Sequence, residues 1–108
     1  MSIPEVSVAE LEVALAAGAR VIDVRETDEY GSGHVPGAVH VALATVPEHI
    51  GAFMGAGATY VICKAGGRSL NACRFLEQQG VTNTVNVAGG TMDWIAAGLP
   101  VVTGSAPL

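Results

Sequence analysis

Val21-Ile22-Asp23-Val24 and Thr59-Tyr60-Val61-Ile62 are short apolar runs that do not alternate with polar residues. A strand with one wet face alternates; a strand covered on both faces has no reason to. These runs therefore constrain the fold more than any other feature. Before and between them the chain carries helix signals. Ser7-Val8-Ala9-Glu10 has the spacing of a capping box, Val8, Leu11 and Leu15 follow at helical intervals, and Gly18 supplies a stop. Thr27 can cap a short helix through Glu29 and Tyr30, with two acids in its first turn. Gly31, Gly33, Pro36 and Gly37 then mark a loop, and Ala38 to Val41 reads as a weak strand. A helix is expected between Thr45 and Met54, with breaks at Gly55 and Gly57. After the second apolar run, Ser69 to Gln79 reads as a helix ended by Gly80. Thr84 to Val87 reads as a further strand, and Thr91 to Ala97 as a helix stopped by Gly98 and Pro100. Strands separated by helices imply an α/β architecture: a parallel sheet with helices on both faces.

Composition limits the alternatives. The 108 residues are half apolar and 14% charged, which suits one domain, residues 1–108, with a real core and rules out a disordered chain. The ordered core is expected over about residues 6–102, and the small, polar segment 103–108 is expected to fray. Ten acids against five Lys and Arg give a net charge of −5, which disfavours a general nucleic-acid binder. No apolar run is long enough to span a bilayer, and Met1 to Glu12 has no basic residue of the kind a signal peptide carries. Two Cys cannot make a disulfide scaffold, so a reducing, cytoplasmic setting is expected.

In open α/β sheets the site lies beyond the carboxyl ends of the strands. Here those ends are Arg25, the loop after Ile62, and Ala88 to Gly90. The loop after Ile62 is Cys63-Lys64-Ala65-Gly66-Gly67-Arg68-Ser69. A buried Cys ending a strand is common and inert. The residues after this one argue otherwise. Gly66 and Gly67 let the backbone curl so that successive N–H groups point inward as an anion nest. A helix begins near Ser69 and turns its positive end towards the same hollow. Two of the five cations, Lys64 and Arg68, fall in these seven residues, where even placement would give about 0.3. Such surroundings lower a thiol pKa, so Cys63 is expected to be a thiolate nucleophile.

Four stretches together resemble the single-domain rhodaneses, a sulfurtransferase family. They are Ile22-Asp23-Val24-Arg25-Glu26 with Glu29-Tyr30; Gly33-His34-Val35-Pro36-Gly37-Ala38; Cys63 through Ser69; and Gly89-Gly90 with Trp94, Gly98 and Pro100. The resemblance runs from about Val6 to Val102. It implies a three-layer α/β/α rhodanese-like fold with a five-stranded parallel sheet, strand order 3-2-4-5-1. That order sets the strand ending at Arg25 beside the strand ending at Cys63. It also implies that Cys63 takes a sulfane sulfur from a small anionic donor such as thiosulfate. The persulfide then passes its sulfur to cyanide in assay, or to a thiol or protein acceptor in cells. Lys64, Ala65, Gly66, Gly67 and Arg68 would bind the donor, without metal or organic cofactor.

The other marked residues read as supports. Asp23 and Arg25 have the charges of a structural pair that braces the site. His34 reads as a hydrogen-bonded loop brace, and Trp94 and Cys73 as core residues, while Glu10, Glu12, Glu48 and Glu77 read as solvated surface. His40 and His49 show no metal-ligand spacing with His34 or either Cys. Two other functions share the fold. A phosphatase or arsenate reductase of the cell-cycle phosphatase branch places five residues between Cys and Arg, whereas four separate Cys63 from Arg68. A non-catalytic partner-binding or sulfur-carrier module is the remaining alternative.

Overall fold

The computed structural model describes residues 3–108. Chain order runs β1 (Glu5–Val6), α1 (Val8–Ala16), β2 (Arg20–Asp23), α2 (Thr27–Ser32) and β3 (Val39–His40). Two 3-10 turns follow (Leu43–Glu48 and Ile50–Phe53), then β4 (Thr59–Ile62), α3 (Gly67–Gln78), β5 (Thr84–Val87) and α4 (Gly90–Ala96). The five strands form one sheet in the order β1-β5-β4-β2-β3, every pair parallel. Read from its other edge this is the order 3-2-4-5-1 that the resemblance implies.

The lack of alternation in the central strands has a direct cause. Ile22 of β2 and Val61 of β4 face a core that includes Val46, Phe53, Ala72, Cys73 and Leu76, under α3 and the 3-10 turns. Their neighbours Val21 and Ile62 face the opposite core, with Leu11, Tyr30, Val87 and Trp94, under α1, α2 and α4. Both faces are dry, so both sets of side chains are apolar. The α1 capping box forms as its spacing requires: the Glu10 amide donates to Ser7 Oγ at 3.2 Å and the Ser7 amide to Glu10 Oε1 at 2.9 Å.

Four local expectations are corrected. The helix expected between Thr45 and Met54 is instead a pair of 3-10 turns. Pro47 has no N–H to donate, and His49 (φ −133°, ψ 29°) leaves helical geometry between the turns. Glu26 rather than Thr27 is the N-cap of α2, its amide donating to Glu29 Oε1 at 3.0 Å. Helix α3 starts at Gly67, two residues before Ser69. Lastly, the C-terminal segment is tied down rather than frayed. Gly104 N donates to Gly31 O (2.9 Å), Gly37 N donates to Pro107 O (3.0 Å), and His34 Nε2 lies 2.9 Å from Ala106 O. His34 is itself fully buried, with Nδ1 2.8 Å from Tyr30 O. The segment holds because the Gly31–Gly37 loop offers it unpaired backbone groups. No helix among the described residues is long and apolar enough to cross a membrane.

Candidate functional site

β2 and β4 are neighbours, Asp23 opposite Ile62, and Val24 N continues the ladder to Ile62 O at 2.9 Å. Arg25 and Cys63 therefore leave the sheet side by side at its carboxyl edge. Asp23 and Arg25 are both buried and form an ion pair of 2.8 Å. The Asp23 carboxylate also accepts from the Arg25 backbone N–H and Nε, each at 3.0 Å. Arg25 Nη2 donates to Gly33 O at 2.8 Å, which fastens the Gly31–Gly37 loop to the end of β2.

Cys63 is about 1% exposed. Its Sγ accepts the Gly66 N–H at 3.1 Å and the Ser69 hydroxyl at 3.2 Å. Burial pushes the thiol pKa up. The Ser69 hydroxyl and the Ser69, Gly66 and Ala65 amides push it down and prevail, so the net shift is below the ordinary thiol value. The amides point inward because the carbonyls of the same loop are held outside. Cys63 O accepts from Thr91 N (2.9 Å) and Thr91 Oγ1 (3.0 Å). Lys64 O accepts from Met92 N at 3.0 Å, and Gly66 O from Leu70 N and Asn86 Nδ2, both at 3.2 Å.

Two glycines make this curl possible. Gly66 has φ +105°, and a Cβ there would sit 2.9 Å from the Ala88 carbonyl carbon. Gly90 has φ +62°, and a Cβ there would fall 2.7 Å from Ala65 N. Both positions combine left-handed backbone with close approach of another chain segment, so only glycine fits.

The positive charge expected around the thiol is partly balanced. Arg68 donates to Glu29 through both terminal nitrogens, at 2.7 and 2.9 Å, so its charge is balanced. The pair holds the Glu29 carboxyl down at about 2. Directed hydrogen bonds from the Ser69 hydroxyl and the loop amides are the main groups that lower the Cys63 thiol, and the Arg68 guanidinium interacts with it as well. Lys64 is exposed and makes no salt bridge among the described residues. It borders a cleft of about 240 Å³ with Arg25, Glu29, Ser32, Met92 and Ile95. Cys73, by contrast, is fully buried in the core and its thiol is pushed up to about 11 by desolvation.

Of the residues singled out in the sequence, Cys63 to Gly66 form the loop, Gly67 and Arg68 open α3 directly after it, and Asp23 and Arg25 lie at the end of the neighbouring strand. Glu29, Ser69, Asn86 and Thr91 were not singled out as groups that touch the loop. Ser69 and Thr91 carried a readable signal, a hydroxyl at a helix start facing a strand-end Cys. Asn86 carried another, a carboxamide inside a short core strand.

A family model described as the rhodanese-like domain matches residues 7–97. YtwF of Bacillus subtilis, a provisionally named sulfurtransferase, is 40% identical over 96 residues, covering 87% of this chain and 92% of that protein. Thiosulfate sulfurtransferase GlpE of Pseudomonas entomophila is 34% identical over 79 residues, 73% of this chain and 72% of that one. The crystal structure of a rhodanese-related protein from Thermoplasma volcanium superposes with a TM-score of 0.84 at 33% identity. The match covers 94% of this chain and 99% of that one. Sheet order, strand-end cysteine and matched length agree, and the chain belongs to the rhodanese-like domain family.

Proposed function

We propose that this chain is a sulfurtransferase that moves a sulfane sulfur from a small anionic donor such as thiosulfate to a nucleophilic acceptor through a persulfide on Cys63. The reading rests above all on the Cys63 sulfur lying against the Gly66 amide at 3.1 Å in a loop whose carbonyls are bound elsewhere. In the first step the Cys63 thiolate attacks the outer sulfur of thiosulfate. The S–S bond of the donor breaks and its electron pair leaves with sulfite. The Cys63 persulfide then carries the negative charge on its terminal sulfur, where the Ala65, Gly66 and Ser69 amides can meet it. In the second step cyanide or a thiolate attacks that terminal sulfur, and the electron pair of the breaking bond returns to Cys63 as thiolate. No metal, hydride or external oxidant enters the balance.

The geometry supports the following residue roles in this reading. Cys63 is the nucleophile. Ala65, Gly66 and Gly67 shape the cradle, and Arg68 fixes the start of α3 through Glu29. Lys64, exposed beside the cleft, attracts the anion, so Lys64→Ala should raise the thiosulfate KM and weaken its salt dependence with little change in kcat. Asp23 and Arg25 brace the loop opposite. The four-residue spacing from Cys63 to Arg68 suits a sulfur atom better than a phosphate ester.

The direct test is intact mass. Thiosulfate should add about 32 Da, one sulfur atom, and cyanide should remove it. Cys63→Ser should abolish the gain and Cys73→Ser should leave it. A persulfide on Cys73, or none on the wild-type chain, would overturn the reading.

A further inference from the structure

Ser69 has one hydroxyl hydrogen and two acceptors at equal distance: Cys63 Sγ at 3.2 Å and Gly66 O at 3.2 Å. Which one receives it decides whether the reactive sulfur has a side-chain donor at all. Gly66 O already has two other donors, Leu70 N within α3 and Asn86 Nδ2 from β5, both at 3.2 Å. A carbonyl oxygen has two lone pairs. With both engaged, the Ser69 hydrogen finds its open acceptor at the sulfur.

Asn86 is held in the orientation this requires. It is fully buried, and Nδ2 also donates to Glu5 Oε2 at 2.7 Å. Turning the carboxamide over would set its oxygen against the Glu5 carboxylate and the Gly66 carbonyl, two acceptors at once. The observed orientation leaves Asn86 Oδ1 buried with no partner, an unfavourable state that an apolar residue would avoid.

We propose that Asn86 is a positioning residue for sulfur transfer, which saturates the Gly66 carbonyl and thereby directs the Ser69 hydroxyl hydrogen onto Cys63. The proposal deepens the sulfurtransferase reading and rests on it for the word transfer, but its effect on the thiol does not. Asn86 acts through Ser69 and touches no reacting atom. Without it, Gly66 O competes for the hydrogen and the thiolate loses a donor.

The test is a double-mutant cycle on Asn86→Leu, Ser69→Ala and the double variant. The primary readout is the pH dependence of iodoacetamide alkylation at Cys63, resolved from Cys73 by peptide mapping. The second is kcat in thiosulfate:cyanide transfer. Each single variant should shift the Cys63 alkylation curve to higher pH and lower kcat severalfold. The double variant should match Ser69→Ala alone, since Asn86 has nothing left to direct. Asn86→Leu should keep or raise the unfolding temperature, because it removes the orphaned oxygen. If Leu overfills the site and the chain does not fold, Asn86→Ala carries the same cycle. An unchanged alkylation curve in the folded Asn86 variant, or effects that add in full in the double variant, would overturn the proposal. Alkylation needs no sulfur donor. A wild-type chain that takes no sulfur, yet shows the cycle, would sink the sulfurtransferase reading and leave the positioning role standing.

Discussion

Gly66 and Gly67 are adjacent and chemically identical, yet adding one methyl to each should have opposite effects. At Gly66, φ +105° holds the backbone where residues with a Cβ are strained, at about 1–3 kcal/mol. The new methyl would also lie 2.9 Å from the Ala88 carbonyl carbon and nearer still to its oxygen. That neighbour is backbone at the end of β5, so relief requires the strand end to move, a further cost of about 1–3 kcal/mol. The total, about 2–6 kcal/mol, is a large part of the roughly 5–15 kcal/mol that holds a domain folded. At Gly67, the first residue of α3, an added methyl meets nothing within 4 Å. Gly67→Ala should instead stabilise by about 0.4–1 kcal/mol by restricting the unfolded chain. In a domain of this size these convert to a Tm loss of about 9–26 °C for Gly66→Ala and a gain of about 2–4 °C for Gly67→Ala. Scanning calorimetry reads both. Intact mass after thiosulfate, taken well below the Tm, should show no persulfide on folded Gly66→Ala. Equal Tm shifts for the two alanines, or a Gly66→Ala chain within 2 °C of wild type (roughly the error of such a comparison), would refute the geometry assigned to the loop.

Three further outcomes follow from the same contacts. The Glu29 carboxyl is held at about 2 against an ordinary 4.5, so its contribution is full above pH 4.5 and fades as pH falls towards 2. Glu29→Gln should lower stability by about 0.5–1 kcal/mol, discounted because Arg68 is about a third exposed; the Tm gap to wild type should be constant above pH 5 and close on acidification. In the native state iodoacetamide at neutral pH should label Cys63 and spare Cys73, whose thiol is pushed up to about 11; equal labelling by peptide mapping would contradict the hydrogen-bonded thiolate. Removing residues 104–108 strips His34 Nε2 of its carbonyl partners and should cost about 1–3 kcal/mol, whereas a frayed tail would leave thermal unfolding unchanged.

What the sequence made legible depended on how local the cause was. The capping box at Ser7 and Glu10 closes within three residues, and it forms as written. The dry faces of β2 and β4 were readable because Val21, Ile22, Val61 and Ile62 are apolar in both directions. The edge strands were harder. β1 is two residues long, and its pairing partner, β5, lies at the far end of the chain. The curl of the Cys63 loop could be read from its glycines, because a nest is a local backbone shape. Its support could not. Glu29 and Arg68 are 39 residues apart, Asn86 stands 20 residues beyond Gly66, and His34 meets Ala106 across 72. Such pairs have no period or spacing and are fixed only by the order of strands in the sheet. The pairing of Arg68 was hidden for the same reason: its charge is visible in the sequence, but the fold alone brings Glu29 to it.

The docking of α4 bears on how this site could change its ligand. Gly90 lies so close to Lys64 and Ala65 that it has no room for a side chain, and the Thr91 and Met92 amides grip Cys63 O and Lys64 O. The loop is thus clamped along its outer rim by a segment encoded well downstream. Inserting one residue between Cys63 and Arg68, the simplest way to admit a bulkier tetrahedral anion, would push the rim into Gly90 and pull two carbonyls off their donors. A larger cavity would need the β5–α4 turn to withdraw in the same event. Ring size and turn position are thus mechanically coupled through Gly90 and the Thr91 and Met92 amides.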